Sequence, residues 1–166
     1  MVADYARGMY RPAAVHGAAL LANEAAGARE LAQWKQSVAR AWPGVTLRGL
    51  SDAPRELAHA GRLQLRVAVA LNGLTPTDVA VEFRGQRLLP RGGHELPPLC
   101  SFDHEQDSDT WRATLTATGE TDSDGSQIYA LDSPPPSAGQ FSTEVRIRPT
   151  HALLSHPLEL GLLKRL

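Results

Sequence analysis

The spacing of apolar positions changes once along the chain, near Gly44. Before it, Leu31, Trp34, Val38 and Trp42 recur at three-to-four-residue intervals and share one face of a helix. After it, apolar and polar residues alternate. Leu63, Leu65, Val67, Val69 and Leu71 are interleaved with Gln64, Arg66, Ala68 and Ala70, the pattern of a half-buried strand. Val79, Val81 and Phe83 repeat it, as do Trp111, Ala113, Leu115 and Ala117, and then Phe141, Thr143, Val145 and Ile147. Ser126 to Leu131 is a further strand. The pattern predicts one or two helices between about Arg11 and Trp42, then roughly six to eight short antiparallel strands. The expected fold class is mostly β: an antiparallel immunoglobulin-like β-sandwich preceded by one or two helices.

Breaker residues set the boundaries. Pro12 stands in the first helical turn, where its missing N–H costs little. Asn23-Glu24 and Gly27 allow a break or bend. Pro43-Gly44 stops the helix, because proline cannot donate to the helical ladder and glycine accepts the turn that follows. The expected organisation is a helical arm over 1–44 and a β-sandwich domain over 45–166. Val45 to Leu50 reads as a short first strand, and Asn72-Gly73 as a turn. Arg84-Gly85 reads as a turn leading back through Gln86 to Leu89. Pro90 to Pro98 reads as a loop and Leu99 to Phe102 as a short strand. The Pro134-Pro135-Pro136 run is a stiff connector. The tail from His151 to Leu166 is apolar at Leu153, Leu154, Leu158, Leu160, Leu162 and Leu163, and its ending is open between strand and short helix.

Composition narrows the function classes. Hydrophobic content is 42% but aromatic content only 5%, so the core must be built mainly from Leu, Val and Ala. Seventeen basic and eighteen acidic residues are interspersed and leave a net charge of −1. That excludes the basic footprint of a nucleic-acid binder and a polybasic membrane contact. No run approaches the roughly 18 apolar residues of a membrane span, and no signal peptide is read at the N-terminus. A cytoplasmic setting is the expectation. The single cysteine, Cys100, excludes an internal disulfide and a Cys-rich zinc site, and reads as a small buried hydrophobe.

Candidate chemistry is sparse. Asp103-His104-Glu105, with Asp107 and Asp109, contains metal-binding residue types, but neighbours in a loop do not converge by spacing alone, and the segment reads as a solvated acidic loop. Asp122-Ser123-Asp124-Gly125 opens like a calcium loop but lacks the third acidic position and the distant glutamate, so it reads as a hairpin turn. His151 and His156, flanked by Pro149 and Pro157, read as ordered turn residues. There is no nucleophile elbow, phosphate loop or dinucleotide fingerprint. No catalytic, cofactor-binding or metal-binding residue is therefore nominated. Trp111 and Tyr129 could stack on sugar rings, or Trp111 could fill the core beside Leu115. The stripe Leu31, Trp34, Val38 and Trp42 could dock on a partner or pack on the chain's own β domain.

Four islands in order carry a resemblance. They are Tyr10-Arg11-Pro12-Ala13-Ala14; Ala28-Arg29-Glu30-Leu31-Ala32 with Trp34-Lys35 and Ala41-Trp42-Pro43-Gly44-Val45; Leu74-Thr75-Pro76-Thr77-Asp78-Val79-Ala80-Val81-Glu82; and Val145-Arg146-Ile147-Arg148-Pro149-Thr150-His151, followed by Leu153, Pro157, Glu159, Gly161 and Leu162. Together they resemble the C-terminal end of bacterial α-glucan phosphorylases, the glycogen or maltodextrin phosphorylase group. The resemblance covers both ends and thins between about Arg84 and Gly139.

It implies a family of two-lobed glycosyltransferases that carry pyridoxal phosphate on a lysine. They release glucose 1-phosphate from α-1,4-glucans with inorganic phosphate. The catalytic lobes, the cofactor lysine and the phosphate loops have no counterpart here, so the cofactor belongs to the absent catalytic part. The expectation is a structural or assembly domain, catalytically silent alone. Its partner would be a phosphorylase catalytic body or a second copy of itself. The alternative is an α-glucan-binding accessory module.

Overall fold

The computed structural model describes residues 6–51, 53–58, 61–88 and 110–166. Cys100, His59, His94, the acidic segment with His104, and the expected strand at Leu99 to Phe102 lie outside the described residues. The chain is mostly β with an N-terminal helix. It divides into two compact units that interleave along the sequence. One holds Met1–Thr46, Ala70–Ala80 and Arg148–Lys164; the other holds Leu47–Val69, Val81–Ile147 and Arg165–Leu166.

In the first unit, a π-helical turn at Ala6–Tyr10 leads into helix α1, Arg11–Ala41. The helix is kinked where a break was expected. Ala22 is extended, with ψ 150°, and Asn23, Glu24 and Ala25 are left-handed, with φ of 51°, 57° and 61°. The chain bends enough that a Cβ on Gly27 would lie 2.9 Å from the Ala19 carbonyl oxygen, so glycine is required there for close approach. The C-terminal stop is a 3-10 turn, Trp42–Gly44. Asn72 donates its side-chain N–H to the Ala41 carbonyl at 2.8 Å, and a Cβ on Gly44 would collide with the same amide. Thus the Pro43-Gly44 stop and the Asn72-Gly73 turn fit one another. The unit's buried apolar side chains are Leu31, Val38, Trp42, Val45 and Val79.

The strands are β1 (Thr46–Gly49), β2 (Leu63–Ala70), β3 (Val79–Arg87), β4 (Thr110–Thr121), β5 (Gln127–Ser133), β6 (Phe141–Pro149) and β7 (Lys164–Arg165). They form a seven-stranded antiparallel sheet in the order β1-β2-β5-β4-β3-β6-β7. Strand β4 is shared: Thr110 to Leu115 pair with β3, and Thr116 to Thr121 pair with β5, with an irregularity between Ala117 and Thr121 where Gly119 takes φ 82°. The alternation places Leu63, Leu65, Val67, Val69, Val81, Phe83, Leu115, Leu131, Val145 and Ile147 in the interior.

One expectation is corrected here. Arg84-Gly85 does not turn; β3 runs through it to Arg87. Gly85 faces Trp111 across the ladder, and a Cβ there would stand 3.3 Å from the Trp111 Cβ and 3.4 Å from the Phe141 ring. The glycine makes room for an aromatic cluster. Trp111 meets Phe83 at 4.9 Å and Phe141 at 6.0 Å between ring centroids, both edge-to-face. The tail, open at its end between strand and short helix, ends in a strand. It is a series of turns closed by Leu154 N–H to His151, Glu159 N–H to His156 and Gly161 N–H to Leu158 carbonyl bonds, ending in the two-residue β7. The His151 and His156 rings accept the N–H groups of Leu153 and Leu158, as ordered turn residues do.

Candidate interaction surface

Within the first unit, one polar junction ties α1 to the Pro76–Asp78 turn and to the tail. The sequence Thr75-Pro76-Thr77-Asp78 forms a capping box. Asp78 accepts the Thr75 backbone N–H at 2.7 Å and the Thr75 hydroxyl at 2.6 Å. The other Asp78 oxygen accepts the Trp34 indole N–H at 2.8 Å. Burial pushes the Asp78 carboxyl up, but the hydrogen bonds from Thr75 and Trp34 outweigh it and leave the pKa below the usual carboxylate value. The His151 ring lies 4.8 Å from the Trp34 ring, and its Nε2 is 3.6 Å from Glu30. Thr150 N–H closes the junction on the Asp78 carbonyl at 2.8 Å.

Both lysines of the chain are held in this unit. Lys35 pairs with Glu159, whose carboxyl is held down to about 2 by Lys35 and by the hydroxyl and N–H of Ser155. Lys164 donates to the carbonyls of Pro43 and Val45, closing the helix C-terminus with a cation.

The stripe nominated as a docking face is largely buried: Leu31, Val38 and Trp42 are covered, and Trp34 is half-buried at the junction. The nominated aromatic pair is likewise interior. Trp111 is 6% exposed, with its indole N–H on the Ser133 hydroxyl at 3.2 Å, and Tyr129 is 3% exposed. Neither presents a face to a sugar ring. Burial pushes the Tyr129 hydroxyl pKa up, and that hydroxyl has no partner among the described residues. The junction residues Asp78, Asn72, His151 and Glu159 were not singled out as a site from the sequence. Only Asp78 carried a readable signal there, the Thr-x-x-Asp capping pattern; the others meet α1 through contacts distant in sequence.

In the second unit, Asp122 and Asp124 close a turn. Asp122 accepts the Ser123 N–H at 2.7 Å and pairs with Arg48; Asp124 accepts the Ser126 N–H at 2.9 Å. Those backbone bonds first, with Arg48, lower both carboxyl pKa values. No group of three metal-ligating side chains occurs among the described residues. Arg146 joins β6 to β3 by donating from Nε and Nη2 to one Glu82 oxygen, Oε2, at 2.9 and 2.7 Å. Beside it, a groove of about 180 Å³ is lined by Arg84, Gln86, Ser142 and Glu144.

The exposed large apolar side chains of the first unit concentrate before the kink. Tyr10 is 72%, Val15 65% and Leu21 72% exposed. His16 fastens this stretch by a 2.9 Å contact between Nε2 and the Leu153 carbonyl.

Comparison with known proteins gives this architecture a family. A family model described as the glycogen phosphorylase C-terminal domain matches residues 42–166. The glycogen phosphorylase of Mycobacterium bovis is 33% identical over 98% of the chain, and that of Mycobacterium tuberculosis is 32% identical over the same share. The chain spans about 17% of the length of these relatives. No solved structure gives a significant match. With the family match covering the whole β region, the chain belongs to the glycogen phosphorylase C-terminal domain family.

Proposed function

We propose that this chain is the C-terminal helical and β-sandwich portion of an α-1,4-glucan phosphorylase, with a structural or assembly role and no catalysis of its own. The observation that carries the reading is coverage: nearly the whole chain aligns with glycogen phosphorylases, yet it spans only 17% of their length. The placement of the lysines supports it. A lysine that carries pyridoxal phosphate must present an uncharged amine to the cofactor carbonyl. Lys35 instead pairs with Glu159 and Lys164 donates to the backbone carbonyls of Pro43 and Val45, so both amines are engaged within the chain, which supports placing the cofactor elsewhere in the family's fold. The protein would work in the cytoplasm, beside the glycosyltransferase body of this family.

The strand order also supports the immunoglobulin-like reading. Lettered A to G along the chain, the strands run A-B-E-D-C-F-G, which contains the ABED and CFG neighbours of that fold, joined through the shared strand β4.

The test is direct. Purified chain, given maltodextrin, inorganic phosphate and pyridoxal phosphate, is expected to release no glucose 1-phosphate. Native-gel migration is expected to be unchanged by glycogen in the gel. Measurable phosphorolysis would overturn catalytic silence. Retardation by glycogen would replace the structural role with glucan binding.

A further inference from the structure

Between Arg11 and Glu24 the chain carries no charged side chain. This stretch, Pro12 to Asn23, is helical up to the kink and contains no buried residue. Only His16, Gly17 and Leu20 are even partly covered, while Val15 and Leu21 stand open to solvent, with Tyr10 just before them. A helix that is apolar and small-chained around its whole circumference is ordinarily an enclosed helix. Contiguous exposed apolar surface without charge is the kind that marks an interaction site. No helix among the described residues is long and apolar enough to cross a membrane.

The comparisons point to the occupant. The C-terminal domain model begins at residue 42, at the very end of the arm, whereas the alignment with full-length glycogen phosphorylases takes in 98% of the chain and so includes it. The arm therefore goes with the long relatives and lies outside the residues that the family model matches. Enclosing a helix on several sides also asks for a cleft in a large body, which the remaining five-sixths of such a relative can supply.

We infer that the uncharged helical stretch Pro12–Asn23, through Val15 and Leu21 with Tyr10 beside them, is the surface that inserts into the catalytic portion of an α-glucan phosphorylase. The inference rests on the proposed function and names its interface. It moves the docking face from the buried Leu31–Trp42 stripe to the segment before the kink. His16 on the Leu153 carbonyl and the close approach at Gly27 hold the segment in a fixed direction for that insertion.

The experiment replaces the matching C-terminal segment of Mycobacterium tuberculosis glycogen phosphorylase with this whole chain, with and without the pair Val15→Glu and Leu21→Glu. Amide hydrogen exchange over 12–23, thermal midpoint and phosphorolysis are measured, with the isolated chain alongside. The expected result is an active chimera in which exchange over 12–23 is at least about tenfold slower than in the isolated chain. The glutamate pair should restore fast exchange and lower the chimera's midpoint. It should leave the isolated chain's midpoint unchanged, since both side chains are exposed there. An active chimera with fast exchange, or one indifferent to the glutamate pair, overturns this surface and leaves the structural role standing. An insoluble or inactive parent chimera overturns both. Self-association of the isolated chain that the glutamate pair abolishes would make a second copy the occupant and overturn the inference.

Discussion

Trp34 holds its place by two different forces. Its indole N–H donates to a carboxylate, and its ring lies against His151. A hydrogen bond to a charged group is worth about 1.5–3 kcal/mol, more than a half-buried ring gains from one tilted neighbour. The donor therefore fixes the orientation and the ring contact follows. Tyr129 shows the opposite balance. Its ring is interior, but its hydroxyl is buried without a partner among the described residues. Tyr129→Phe should therefore leave stability unchanged or raise it by about 1 kcal/mol in urea unfolding, because a desolvated hydroxyl is removed and no bond is lost. A loss of more than about 1 kcal/mol would show that the hydroxyl is satisfied. Trp111 was legible from its alternation with Leu115, which already offered a core position. Gly85 was not: a glycine after arginine in a strand reads as a turn, and only the register with Trp111 shows that it clears space for a ring.

At the scale of elements, the kink in α1 is the most strained feature. Left-handed backbone costs a non-glycine residue roughly 1–2 kcal/mol, and three such residues follow one another. Asn23 tolerates the conformation better than Ala25, whose methyl group has no compensating bond to make. Ala25→Gly should stabilise the bend by up to about 1 kcal/mol, visible as a higher midpoint in the helical circular-dichroism melt. A lower midpoint would mean that the bend is not held in this conformation. The Asn72-Gly73 turn teaches a related lesson about connections. Both residues have positive φ, at 49° and 91°, and Leu74 N–H bonds to the Leu71 carbonyl at 3.1 Å. Such a pair usually closes a hairpin. Here β2 pairs with β5, and β3 lies two places further along the sheet. Turn chemistry is local and therefore readable; strand partnership depends on which apolar faces meet and is not.

For the molecule as a whole, the Lys35–Glu159 pair links residues far apart in sequence and responds to acid. The folded Glu159 carboxyl is held at about 2, below its ordinary 4.5. A depressed folded pKa contributes stability that is present above the unfolded value and is lost as pH falls through the folded one. The contribution is therefore complete above about pH 4.5 and disappears toward pH 2. Both side chains are partly solvated, so the effect is screened and small. Glu159→Gln should flatten the stability profile between these two pH values in acid unfolding. An unchanged slope there would remove Glu159 from the acid response.

By itself the sequence determined the kinds of element: a helix that bends at Asn23 and stops at Pro43-Gly44, then alternating strands, and a family resemblance carried by four islands. These follow from backbone preference and side-chain period, which act over a few residues. The tertiary structure alone decided that the tryptophan stripe and the Trp111 and Tyr129 pair are interior, that β4 serves two neighbours, and that the uncovered apolar surface lies before the kink. Burial is a property of what the rest of the chain covers. The same apolar residue is core or docking face according to contacts a hundred residues away, and local pattern does not carry that distance.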